Sequence, residues 1–97
     1  MNITFDPNKR AETLRTRHVD FLDAAKVFAG LAFTFKDERF DYAEPRYLTV
    51  GMIEGRMMIV VWTPDEENAA RRVISMRKAN AREQARYLHR LGEARRP

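Results

Sequence analysis

The sequence predicts an α+β domain in which two N-terminal helices precede an antiparallel sheet of about four strands, with a helix at the C-terminus. Three observations predict it. Helical spacing is confined to the two ends of the chain, and the stretch from Leu31 to Arg77 reads as extended runs separated by turn residues. Met58–Trp62 is apolar without a break, as expected of a central strand covered on both faces.

Ile3 and Phe5 alternate with polar neighbours as a short strand, and Asp6-Pro7 supplies an N-cap and first-turn proline for a weakly amphipathic helix to about Arg15. The second helix starts at Asp20, a good N-cap. Val19 and Ala24 are spaced as a hydrophobic staple, and Phe21, Ala24, Ala25 and Phe28 recur at helical intervals until Gly30 ends the helix. Beyond Gly30 the period becomes extended. Leu31–Phe35 and Arg46–Ile53 read as strands, divided by the charged segment Asp37–Tyr42 and by Pro45, which restrains the residue before it. Glu54-Gly55 reads as a hairpin turn into Met57–Thr63. Pro64–Asn68 forms a polar turn before a last strand at about Arg71–Arg77. The C-terminal helix runs from about Ala79 to Leu91, with Ala81, Ala85 and Leu88 as its apolar stripe and a flexible basic tail at about 92–97.

Charge is distributed unevenly. The last 27 residues hold nine basic groups against Glu83 and Glu93, while the other 70 hold nine basic and twelve acidic ones. A basic end on an acidic body suggests a polyanionic ligand, because neutralising phosphates supplies most non-specific nucleic-acid affinity. At 97 residues the chain is one small domain with a single core and a narrow margin of stability. The absence of cysteine excludes disulfides, thiolate zinc sites and a cysteine nucleophile. Met1–Asp6 lacks a basic, apolar signal region and no apolar run approaches membrane-spanning length, so a cytoplasmic protein is expected.

Strict alternation in the last strand puts Ile74 and Met76 on the core face. Val73, Ser75 and Arg77 then lie opposite, joined by Arg71, and Arg72 shares the Ile74 side at the edge. A guanidinium held on a sheet has less freedom than one on a tail, and its fork matches a phosphate bidentately. The same arginines can equally be strand ends paired with Glu66, Glu67 or Glu44.

Arg72-Val73-Ile74-Ser75-Met76-Arg77-Lys78-Ala79, followed by Arg82-Glu83 and Tyr87, resembles the C-terminal signature of the BrnT family of ribonuclease toxins. The likeness runs nearly end to end. Phe5–Lys9 resembles the family's opening, His18-Val19 with Phe21, Asp23–Ala25 and Val27-Phe28 its histidine-led second helix, and Asp41-Tyr42 with Glu44 and Arg46 its central acidic-aromatic motif. Two departures are visible: Val19 follows His18 where the family usually has glycine, and Ala43 stands where glycine is usual. The resemblance implies a RelE-like fold and an endoribonuclease that inhibits translation. It further implies neutralisation in a toxin–antitoxin hetero-oligomer by a cognate DNA-binding antitoxin, BrnA.

Metal-independent RNA cleavage uses the substrate's 2′-hydroxyl as nucleophile, so the protein must supply a proton acceptor, a proton donor and positive charge for the phosphorane. His18 is the candidate acid or base, or else a helix-start residue bonded to backbone. Glu44 is the base or holds an arginine in line, or else pairs with Arg46. Arg72, Arg77 and Lys78 are the candidate phosphate ligands, with Arg46 beside them, and Tyr87 stacks on a base or packs. Arg82, Arg86 and Arg90 recur every four residues and suit RNA, an acidic antitoxin segment or solvent. The two histidines lie 71 residues apart and no acidic cluster has ligand spacing, so no metal or other cofactor is expected. A non-catalytic basic module that binds RNA or a partner is the alternative.

Overall fold

The computed structural model describes residues 2–94. Its elements are β1 (Ile3–Phe5), α1 (Pro7–Arg17), a 3₁₀ turn (Phe21–Asp23), α2 (Ala24–Ala29), β2 (Ala32–Lys36), β3 (Tyr47–Ile53), β4 (Arg56–Asp65), β5 (Ala70–Lys78) and α3 (Ala81–Ala94). The strands form one mixed sheet in the order β1-β5-β4-β3-β2. The architecture is α+β, but the sheet has five strands rather than about four. The N-terminal strand is the fifth, and it pairs in parallel with β5, Phe5 opposite Val73.

Local chemistry sets most boundaries. The Asp6 carboxylate accepts from the Asn8 amide at 2.9 Å, with Pro7 in the first turn, and Asp20 caps the 3₁₀ turn through the Leu22 amide at 3.0 Å. The second helix opens as 3₁₀ and is only six residues long in its α-helical part. Glu54 and Gly55 both adopt left-handed backbone, φ 50° and 82°, which is what a two-residue turn between right-twisted strands requires. At α3 a reciprocal capping box forms: the Glu83 amide donates to Asn80 Oδ1 at 2.8 Å, and the Asn80 amide donates to Glu83 Oε1 at 3.0 Å.

The sheet buries two cores. On one side Met58, Val60, Trp62, Val73 and Met76 pack against Val19, Phe21, Ala24 and Val27, with Phe5 edge-on to Phe21. Trp62 donates its indole N–H to Thr49 at 2.8 Å, so its one polar atom is satisfied inside the core. On the other side Val50, Met57 and Ile59 meet Ala79 and Leu91, while Tyr87 sits against Phe33 and Phe35. The buried face of α3 is thus Tyr87 and Leu91. The expected stripe of Ala81, Ala85 and Leu88 is turned one flank outward, with Leu88 61% exposed. Of the expected basic tail at 92–97, residues 92–94 belong to α3 and the remainder lies outside the described residues.

The largest departure from the sequence expectation is in β5. Val61 pairs with Ser75 but Trp62 pairs with Val73, so Ile74 is an extra residue opposite the Val61–Trp62 step. The bulge reverses the alternation. Val73 and Met76 share the α2 side, in place of the expected Ile74 and Met76, and Arg71 goes with them, its guanidinium 4.3 Å from the Trp62 ring centroid and 4.6 Å from that of Phe28. Arg72 and Arg77 consequently leave the strand on the α3 side.

Gly51 shows how closely α2 approaches the sheet. A Cβ added there meets Val27 Cγ1 at 2.8 Å, Ala32 Cβ at 3.1 Å and the Leu31 carbonyl oxygen at 3.2 Å. Gly51→Ala is therefore expected to destabilise the protein by about 1–3 kcal/mol through overpacking, read as a lower midpoint in thermal denaturation.

Candidate active site

On the α3 side of the sheet, α3 covers the β2–β4 part, and the segment 37–46 arches over the opposite end. Asp37 organises that segment. Its side chain is 2% exposed and accepts four hydrogen bonds: from the Arg39 amide (3.2 Å), Arg39 Nε (2.9 Å), Arg39 Nη2 (2.8 Å) and the Tyr42 hydroxyl (2.9 Å). The Arg39 guanidinium, first among these causes, holds the Asp37 carboxyl far below the usual carboxylate range, and Arg39 is raised in turn. The Asp37 amide donates to the Arg46 carbonyl at 2.8 Å, closing the loop at its base. The Pro45 carbonyl accepts from Thr63 Oγ1 at 2.6 Å, which ties the loop to β4, and the Arg46 guanidinium lies 4.3 Å from the Tyr42 ring centroid.

Arg72 enters a cleft of about 240 Å³ lined also by Lys9, Tyr42, Ala43, Glu44, Arg46, Thr63 and Ile74. Three cations and one carboxylate thus converge on one concavity. Glu44 and Arg72 make no ion pair with each other or with Arg46 among the described residues, so the expected Glu44–Arg46 pair is not formed. A second, more open cleft of about 650 Å³ adjoins it, bounded by Glu44, Arg72 and the turn carrying Asp65, Glu66 and Glu67.

Arg77 points toward the N-terminus of α3, where Glu83 grips it bidentately at 2.7 and 2.8 Å. It is therefore ion-paired though 40% exposed, and its partner is none of the carboxylates expected from the sequence. The Arg77 guanidinium pulls the Glu83 carboxyl down from 4.5 to about 2, assisted by the Asn80 amide. Arg39 and Tyr87 are both close enough to Arg77 to act on its charge, Tyr87 favouring it and Arg39 opposing it.

The remaining expected residues lie elsewhere. His18 is not at a helix start. It caps the C-terminus of α1 in left-handed backbone, φ 57°, and its amide donates to the Leu14 carbonyl at 3.1 Å. Its pocket, about 300 Å³, is on the α2 side and is shared with Lys78, Arg56 and Asp20. His18 is thus separated by the sheet from Glu44, Arg72 and Arg77, Lys78 at the end of β5 borders both this pocket and one beside α3, and the single pocket joining all five is not formed. Arg82 and Arg86 are exposed on α3, with Arg86 near enough to Glu83 to favour its ionised form. Arg90 lies 4.6 Å from the Phe33 ring centroid, and Tyr87 is half-buried in packing. Lys9, Asp37, Arg39 and Tyr42 line or support the site without having been singled out for it. Signals for them were present: Lys9 and Tyr42 belong to the family-like motifs, and in Asp37-x-Arg39 an aspartate commonly bonds the backbone two residues on.

The sequence profile of one family, described as a ribonuclease toxin, BrnT, of type II toxin–antitoxin systems, matches residues 5–83. No curated protein sequence matches the chain. No helix among the described residues is long and apolar enough to cross a membrane.

The Arg77–Glu83 pair makes stability depend on pH. The folded state binds the Glu83 proton less tightly than the unfolded chain, so the pair's contribution is complete above pH 4.5 and is lost as the pH falls toward 2. Because Arg77 is 40% exposed, solvent screening limits the contribution to about 1 kcal/mol. Denaturant unfolding is expected to show Glu83→Gln less stable by about that amount at neutral pH, with a shallower acid decline than the parent.

Proposed function

The chain belongs to the BrnT family of ribonuclease toxins of type II toxin–antitoxin systems, and on that footing we propose that it is a metal-independent endoribonuclease whose reaction occurs on the α3 side of the sheet, around Glu44, Arg46, Arg72 and Arg77. One observation carries this most: Arg72 and Arg77 emerge from the same side of β5, and the cleft that Arg72 enters also receives Glu44, Arg46 and Lys9. Positive charge held on a strand, with a carboxylate and an ammonium beside it, is the set of parts that 2′-hydroxyl attack needs.

In the proposed reaction the Glu44 carboxylate takes the proton of the ribose 2′-hydroxyl. The freed oxygen attacks the adjacent phosphorus, and the bond from phosphorus to the 5′-oxygen breaks. Lys9 gives a proton to that departing oxygen, leaving a 2′,3′-cyclic phosphate and a 5′-hydroxyl end. Arg46 and Arg72 offset the charge that builds on the phosphorane. Arg77, oriented by Glu83, holds a neighbouring phosphate, and Arg82, Arg86 and Tyr87 extend the track along α3. His18 and Lys78 stand outside this centre. Cleavage of messenger RNA in the cytoplasm would stop translation, and a BrnA-like antitoxin seated on the same basic surface would prevent it. A RelE-like relationship of the fold accords with a basic sheet surface flanked by a C-terminal helix.

Purified protein is expected to cleave single-stranded RNA in excess chelator. Arg72→Ala and Glu44→Gln should each lower kcat/KM by roughly 10²- to 10³-fold while unfolding normally, as removal of one transition-state contact does elsewhere. His18→Ala should remain nearly as active as the parent. Full activity in Arg72→Ala, or complete loss in a folded His18→Ala, would overturn the assignment; salt-sensitive binding without product would return the protein to a non-catalytic module.

A further inference from the structure

We propose that Phe40 is a stacking platform for an unpaired base of single-stranded RNA, forming a nucleobase subsite on the segment 37–46 next to the cleavage groove. The inference rests on the ribonuclease reading above. Phe40 is 68% exposed, more than any other large apolar side chain among the described residues, and contributes to neither core. Exposing a phenyl ring forfeits its burial, so a fold-stability role does not account for it.

The loop that carries Phe40 is fixed. Four hydrogen bonds to the buried Asp37 carboxylate, one closing bond from Asp37 to Arg46 and one from Thr63 to Pro45 immobilise the backbone on both sides of the ring. Phe40 leans edge-on against Tyr42, with centroids 5.8 Å apart and planes at 76°, so one ring face is positioned at little further entropic cost. A concavity of about 510 Å³ lies beside it, lined entirely by residues 36–46, within the size range of small-ligand sites.

The flanking charges identify the ligand class. The Arg39 guanidinium lies 5.9 Å from the Phe40 centroid and is 69% exposed, and only its Nε and Nη2 are engaged by Asp37. Arg39 is also within electrostatic range of Arg77. An aromatic face beside a cation that leads to further cations matches the repeating unit of a single strand, one base and one phosphate. A duplex keeps its bases stacked on one another and offers no free face.

The test uses full-length protein and a labelled single-stranded oligonucleotide carrying 2′-O-methyl groups throughout, which cannot be cleaved. Phe40→Ala is expected to weaken binding roughly tenfold, with Phe40→Trp restoring it and affinity for a duplex of the same sequence unchanged. Replacing one nucleotide by an abasic unit should weaken the parent protein at one register and leave Phe40→Ala unaffected there. Parent-like single-strand affinity in Phe40→Ala overturns the subsite, as does equal weakening toward single strand and duplex. Retention of RNA affinity with loss of neutralisation by antitoxin also overturns it, assigning the ring to the protein partner. If the unaltered protein neither binds nor cleaves RNA, the ribonuclease reading itself fails; if only the Phe40 comparison is flat, that reading survives and the subsite does not.

Discussion

One extra residue in β5 decides how charge is arranged on this protein. Arg72 and Arg77 are five positions apart, an odd separation, and in a regular strand they would leave opposite faces of the sheet. The bulge at Ile74 restores them to one side, while Val73 and Met76 share the other. The same residue sends Arg71 inward over Phe28 and Trp62, where burial lowers its pKa. Bulges commonly re-aim side chains beside active sites, and here the re-aimed groups are guanidinium forks on an internal strand paired on both edges.

Two carboxylates then orient arginines, one at the start of α3 and one in the 37–46 segment. Glu83 closes the capping box of α3 and grips Arg77, so the start of the helix and the direction of the guanidinium are fixed together. Asp37 does the same for the loop through Arg39 and Tyr42. In both pairs the arginine is more exposed than its carboxylate, at 40% against 17% and 69% against 2%. Such exposure limits what the pairs add to stability, and it leaves the cations accessible to a ligand. Their main physical consequence is orientation.

Much of the fold was legible because it follows from local rules. Asp6-Pro7, Asp20, Gly30 and Glu54-Gly55 each act within a few residues, and each lies at the boundary it was expected to mark. The features that escaped depend on distant partners. Nothing local tells that Ile3–Phe5 adds a parallel strand to β5, or that α3 docks by Tyr87 and Leu91 because Phe33 and Phe35 await them. Within the site, Glu44, Arg46 and Arg72 were read as candidates and do converge. The grouping of His18 with them failed, because sequence spacing carries no record of which side of a sheet a helix end occupies.

The two sides of the sheet are unequal in what they can accept. On the α2 side, Trp62, Val60 and Met76 are sealed beneath Phe21, Ala24 and Val27, and the pocket near His18 opens only at the margin, where Asp20, Asp23 and Glu54 mix their charges with Lys78 and Arg56. A polyanion approaching there meets acid and base in near equal measure. On the α3 side, the helix lies over Phe33 and Phe35, and beneath residues 42–46 a cleft brings Lys9, Arg46 and Arg72 together with Glu44, while Arg77 is held by Glu83 at the start of α3. Field strength in a cleft rises when charges of one sign share low-dielectric walls; Lys9, Arg46 and Arg72 outnumber Glu44 in the smaller cleft, whereas the adjoining one sets Arg72 against Glu44, Asp65, Glu66 and Glu67. The reaction proposed for the smaller cleft accordingly uses a carboxylate and an ammonium that line it, in place of the imidazole of His18, which lies across the sheet.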